Sequence, residues 1–162
     1  MSQPFQATDD VGRAVWHLGA LMQLRLTGEQ TDGRFALTEH RCRRGTAAPL
    51  HRHALQDETF IVLEGELAIH IDGRDFRAGP GSITFAPRGL PHFYQAESEE
   101  CRFLALIMPA GFEQWFVETG EPAGDLSLPP IPDSPPDVGA LIAAAARYGV
   151  EILGPPPNMT AG

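Results

Sequence analysis

Between Gly45 and Gly65 the chain carries two histidines one residue apart, His51 and His53, and a carboxylate five residues further on, Glu58. In an extended chain, residues two apart point to the same side, so both imidazoles face one way. A turn after His53 lets Glu58 reach back to the same point. A further histidine, His92, follows the rigid run Pro87-Arg88-Gly89-Leu90-Pro91 and opens a new extended segment. Laid side by side, the two segments bring His51, His53, Glu58 and His92 together as three nitrogens and one oxygen. That donor set suits one divalent transition metal ion per chain, Fe, Mn, Ni, Co, Cu or Zn, better than Ca or Mg, which prefer all-oxygen shells.

The segments around these residues alternate like strands. From Glu58 the even positions Phe60 and Val62 share the ligand face, which makes them expected cavity wall, while Ile61 and Leu63 face away and need another apolar partner. Leu67, Ile69 and Ile71 alternate with Ala68, His70 and Asp72, and Asp72-Gly73 signals a tight hairpin turn. Ile83 and Phe85 alternate before the Pro87 turn, and Phe85 is taken as a third wall residue. His92 and Tyr94 share a face, which puts the Tyr94 ring near the ligand cluster. Trp16 to Thr27, Phe35 to Arg43 and Phe103 to Met108 read as further strands, with a turn over Gly28 to Gly33. Eight to ten short strands with Gly/Pro turns and no alternating helices indicate an all-β double-sheet jelly roll closed into a small barrel.

The spacing Gly45, His51, His53, Glu58, Gly65, followed by Gly81, Pro87, Gly89, His92, resembles the paired motifs of the cupin superfamily. Ala96 stands where that pattern has Asn, at a position that is not a ligand. Further phrases around Asp57 to Leu67, Pro109 to Gly120 and Arg147 to Pro157 are similar to small single-domain bacterial cupins that resemble quercetin 2,3-dioxygenase. The resemblance implies a double-stranded β-helix barrel whose four motif residues bind the metal. It also implies a dioxygenase acting on a small enol, catechol or flavonol-like substrate, with Glu58 handling a substrate proton. A non-redox metal-dependent isomerase or lyase, and a non-catalytic small-molecule-binding barrel, are the alternatives.

With 162 residues, the chain supports one sizeable core. Its divisions are an arm over 1–14, a barrel over 15–112 and a Pro-rich extension over 113–162. In that extension Glu113 to Gly120 packs Trp115 and Phe116 over a barrel end, and Glu121 to Pro136, with six prolines, is irregular. Asp137 caps a helix from Val138 to Tyr148, whose stripe Val138, Leu141, Ile142, Ala145 and Tyr148 docks on the barrel or a partner subunit. The final stretch Gly154 to Gly162 is expected to fray. A formal charge of −9 and the lack of any basic run longer than Arg41-Cys42-Arg43-Arg44 exclude a phosphate-backbone partner. No apolar run approaches membrane-spanning length and Cys42 and Cys101 form no metal spacing, so a cytoplasmic protein with free thiols, assembled as a homodimer, is expected.

Outside the four ligands, Glu58 doubles as a candidate proton carrier and Tyr94 as aromatic core or as a hydrogen-bond donor to a bound oxygen. Arg88 reads as a solvated loop arginine or as a clamp for a substrate carboxylate. His17, His40 and His70 take ordinary surface or core roles, with His40 able to approach the cavity mouth.

Overall fold

Residues with left-handed backbone cut the chain into short strands in the computed structural model, which describes residues 2–157. After a single 3₁₀ turn over Val11–Arg13, β1 (Ala14–His17) and β2 (Ala20–Leu26) form a hairpin. Its two-residue turn is Leu18-Gly19, with φ of 47° and 84°. The single strand expected from Trp16 to Thr27 is therefore two strands. A leucine in left-handed backbone hides the turn, because Asn, Asp or Gly usually mark that conformation. The Gly28 to Gly33 turn is built on α1 (Gly28–Thr31), where Thr27 and Gln30 cap each other, and leads into β3 (Ala36–Arg43).

The site-bearing segments follow as β4 (Leu50–His53), β5 (Asp57–Glu64), β6 (Leu67–Ile71), β7 (Arg74–Ala78), β8 (Ile83–Ala86), β9 (His92–Ala96) and β10 (Glu100–Met108). Asp72 and Gly73, at φ 46° and 80°, make the hairpin turn between β6 and β7 that the sequence signalled. The extension contributes α2 (Glu113–Thr119), β11 (Glu121–Pro122), α3 (Val138–Arg147) and β12 (Val150–Gly154). All pairing is antiparallel in two sheets, a seven-stranded one ordered β11-β1-β2-β3-β10-β5-β8 and a five-stranded one ordered β12-β4-β9-β6-β7. This is a mostly β jelly roll.

The core lies between the sheets. Phe60, Val62, Phe103, Ala105 and Ile107 from the large sheet meet Leu67, Ile69, Ile71 and Tyr94 from the small one. Burying each large apolar side chain there contributes roughly 1.5–3 kcal/mol. The N-terminal arm lies on its own sheet: Arg25 donates to the Thr8 carbonyl and to Asp9 while also pairing with the buried Glu39.

The extension is woven into both sheets. β11 pairs with β1, and β12 pairs with β4, the strand that carries His51 and His53. β12 carries no strand signal of its own, because Val150 to Gly154 is a short segment just before a proline cluster. Asp137 caps α3 as expected, accepting from the Ala140 amide, but the docked face is rotated. Leu141, Ala144, Ala145 and Tyr148 face the barrel, whereas Val138 and Ile142 are exposed. Two small alanines let the helix backbone approach closely, which a stripe chosen by hydrophobicity alone misses. Arg41 and Arg43 donate to the carbonyls of Leu126 and Pro129, so this basic strand face holds the Pro-rich segment down. Of the tail expected to fray, 154–162, Gly154 is instead paired with Leu50 as the end of β12, and 158–162 lie outside the described residues. Among the described residues no helix is long and apolar enough to cross a membrane.

Candidate metal centre and its cavity

Register brings the four expected ligands together from both sheets. His51 on β4 stands directly opposite His92 on β9 in the small sheet, and His53 follows on the same face of β4. Glu58 on β5 reaches them from the large sheet across the interior, on the same face as the core residues Phe60 and Val62. All four are buried, and their ligand atoms lie within 4.8 Å of one another. From Glu58 Oε2 the Nε2 atoms of His92, His53 and His51 lie at 3.0, 3.4 and 4.0 Å.

The hydrogen bonds outside this cluster fix each imidazole. His51 Nδ1 lies 2.7 Å from the Pro49 carbonyl and His92 Nδ1 3.0 Å from the Leu90 carbonyl. A carbonyl only accepts, so each Nδ1 carries a proton; His92 Nε2 also donates to Glu58 Oε2 at 3.0 Å, and giving up that proton would leave both Nε2 atoms with a lone pair for a cation. His53 Nδ1 faces the Gln56 side-chain oxygen at 3.4 Å, while the Gln56 amide nitrogen donates to the Tyr148 carbonyl. His53 Nε2 is left buried with no hydrogen-bond partner. With Nε2 of all three deprotonated, the imidazoles and the Glu58 carboxylate would make a three-nitrogen, one-oxygen donor set for a cation. Donor atoms held about 2.1 Å from one ion lie roughly 3.0 Å apart when adjacent and 4.2 Å when opposite, and the distances from Glu58 span that range. His51, His53, Glu58 and His92 thus form a potential metal site, and they fit a transition ion.

Electrostatics agree. Burial, reinforced by the neighbouring His92 and His53, pushes His51 down to about 3. Burial alone would raise Glu58, but His53, 3.4 Å away, and the hydrogen-bonded His92 outweigh it and hold the carboxyl well below the usual range. Burial likewise opposes charge on His92, and Glu58 overcomes it and raises the imidazole.

His51 and Glu58 of the cluster line a cavity of about 40 Å³. That holds a few waters or one compact ligand. Tyr94 lines it as expected, and burial raises its hydroxyl well above the usual range, so the group stays protonated. The expected wall needs correction. Phe60 and Val62 are wholly buried in the core rather than in the wall, Phe60 packing at 6.2 Å from the His92 ring. Phe85 points to solvent, 58% exposed. It pairs with Thr59 while Ala86 pairs with Glu58, so the pleat puts Ala86 inside and Phe85 outside. The wall consists instead of Met22, Trp115, Phe116, Val150 and Ile152, together with His17 and His40. Trp115 and Phe116 close one end, as their position in the extension suggested. His40 reaches the cavity, as its sequence position allowed, and His17, which stands in no ligand spacing, is brought there by three-dimensional pairing. Arg88 is exposed and forms a two-pronged pair with Asp57, which anchors the Pro87 turn rather than reaching the cavity. His70 bonds Asp75 at the surface.

Residues 40–107 match the Cupin domain family. The chain is 29% identical over 107 residues to quercetin 2,3-dioxygenase of Bacillus subtilis (strain 168), covering 60% of this chain and 32% of that protein. It is 30% identical over 91 residues to the uncharacterized protein SCO3923 of Streptomyces coelicolor, covering 56% of this chain and 81% of that one. The solved structure of oxalate decarboxylase from Bacillus subtilis superposes with a TM-score of 0.57 at 25% identity, covering 68% of this chain and 30% of that one. The chain thus spans about a third of the length of each of these two enzymes.

Proposed function

The chain belongs to the cupin superfamily, and from that premise we propose that it is a metal-dependent dioxygenase acting on a compact enol, catechol or flavonol-like molecule. The observation that carries the reading is the convergence of three buried imidazoles and one carboxylate, two of which, His51 and Glu58, line an apolar cavity. His51, His53, Glu58 and His92 hold one divalent transition ion. When bound, the ion lowers the pKa of a coordinated hydroxyl and orients it beside its reaction partner. With four protein donors the ion would still be able to take oxygens of a small molecule. The electrons for oxygen incorporation come from the substrate, so no separate redox cofactor is required.

The chain's own groups divide the remaining work. Tyr94 stays neutral and donates its hydroxyl hydrogen to a substrate oxygen. Met22, Trp115 and Phe116 exclude water from the reacting centre. Glu58 would take a substrate proton only once freed from its neighbours, because a carboxyl held well below the usual range is a weak base. A three-ring flavonol needs the mouth of the cavity to open, so a single ring suits the volume better.

A lyase is the second reading, favoured by the likeness to oxalate decarboxylase. The test mixes metal-loaded protein anaerobically with enols, catechols and flavonols and then admits labelled dioxygen. Oxygen uptake with label in the product supports the dioxygenase; equal conversion without oxygen moves the assignment to lyase or isomerase. Tight binding with no turnover under either atmosphere assigns a binding protein.

The functional unit in this proposal is a homodimer. Supporting it, Ile83 and Phe85 are exposed on β8, an edge strand, beside the half-buried Ile61 of β5. Sedimentation equilibrium giving a 17.6 kDa monomer at micromolar concentration overturns it.

A further inference from the structure

Two buried imidazoles that take no part in the metal cluster line the same cavity. His17 ends β1 and His40 lies in β3, both on the large sheet, and they are 3% and 2% exposed. Their rings stand edge-on to Phe116 at 5.5 and 5.6 Å. Among the described residues, nothing hydrogen-bonds the Nδ1 atom of either one.

Hydrogen-bond geometry fixes the His17 tautomer. Thr119 Oγ1 donates its single proton to the Trp115 carbonyl at 2.7 Å. It can therefore only accept from His17 Nε2, which lies 2.8 Å away. Nε2 carries the ring proton, and Nδ1 is a bare lone pair. His40 Nε2 meets the Thr38 hydroxyl at 2.8 Å, and this leaves its Nδ1 open as well. Buried polar atoms nearly always find partners, and one left bare is costly. Here both residues line a ligand cavity whose other large-sheet lining is Ala20, Met22 and the metal-site carboxylate of Glu58.

We infer that His17 is a second anchor for the ligand, its Nδ1 accepting a hydrogen bond from a hydroxyl or N–H of the bound molecule, with His40 Nδ1 as a further polar contact. The ligand class narrows to a compact, single-ring-sized molecule that carries a hydrogen-bond donor apart from the oxygens that reach the metal. The metal-reaching half of that description rests on the proposed function; the His17 half rests on the cavity alone.

The test uses phenol and anisole, which share a ring and differ in the donor hydrogen. Each is titrated into wild type, His17→Phe and His51→Ala, followed by tryptophan fluorescence, since Trp115 lines the cavity. Phenol is expected to bind about five- to tenfold more tightly than anisole in wild type and in His51→Ala, as one net hydrogen bond allows. In His17→Phe the ratio falls to about one. Equal affinities in wild type, binding of neither probe, or an undiminished phenol preference in folded His17→Phe overturns the anchor. A preference present in wild type but lost in His51→Ala places phenol on the metal and also overturns the anchor, leaving the proposed function standing. A preference that persists in all forms with an intact His17, beside a protein that never consumes oxygen, supports the anchor while the dioxygenase reading fails. Should His17→Phe not fold, long-range proton–nitrogen spectra of the wild type decide. An unprotonated His17 Nδ1 whose resonance moves with phenol and not with anisole supports the anchor. A protonated or unresponsive Nδ1 refutes it.

Discussion

Lowering the pH from 7.5 to 5 destabilises the fold through its buried neutral histidines, and His17 supplies a share that can be isolated. Burial, aided by the nearby His40, pushes the His17 imidazole down to about 4 from its ordinary 6.5. The unfolded chain binds protons at this site from about pH 6.5 downward, while the native state does so only near pH 4. Stability from this site is therefore complete above pH 6.5 and is lost as pH falls toward 4. At pH 5 the unfolded histidine is almost fully protonated and the native one about a tenth protonated, which corresponds to about 2 kcal/mol. Burial depresses His40 to about 4 as well, so it contributes a similar loss. Urea unfolding of chelator-treated wild type and His17→Phe at pH 7.5, 6.5, 5.5 and 5.0 measures the difference. The variant starts with a different stability but loses about 2 kcal/mol less on acidification. Parallel curves for the two proteins refute the assignment of a neutral, buried His17.

Three further outcomes follow from particular contacts. Gly65 sits at φ 75°, and a Cβ there would overlap the Glu100 carbonyl oxygen and Ser98 Oγ, so Gly65→Ala is expected to lose about 2 kcal/mol or more in urea unfolding. Metal bound by β4 and β9 on one sheet and β5 on the other staples the two together. At a hundredfold excess over Kd this adds about 2.7 kcal/mol, a Tm rise of roughly 5–10 °C that calorimetry should detect in wild type and not in His92→Ala. Burial pushes the Cys101 thiol up to about 11 and raises Cys42 further; both therefore stay unmodified by a thiol reagent at pH 8 until urea unfolds the chain.

The sequence disclosed the ligand set because its information is local. A two-residue spacing puts His51 and His53 on one face, and a proline-braced turn opens the strand of His92, so only the pairing of β4 with β9 had to be supplied by the fold. The jelly roll was legible for the same reason, through alternation and turn residues such as Asp72-Gly73. What was missed depends on distant pairing. Phe85 was assigned inward by its hydrophobicity, yet its register against Thr59 turns it out and turns the small Ala86 in. β12 has too little pattern of its own to declare a strand, and it forms because β4 offers it an edge. His17 becomes a cavity residue only when β1, β3 and α2 meet, a juxtaposition that no spacing along the chain encodes. On α3 the docked face was set by how closely alanines allow approach, so the exposed Val138 and Ile142 misled a reading based on apolarity.

Metal binding by His51, His53, Glu58 and His92 as one site is the proposal on which the rest depends. Elemental analysis of purified wild type beside His51→Ala and His92→Ala tests it most directly, with folding of each variant checked by circular dichroism. About one first-row transition ion per wild-type chain, and close to none in either folded variant, is the predicted result. Equal metal content in all three proteins would contradict it.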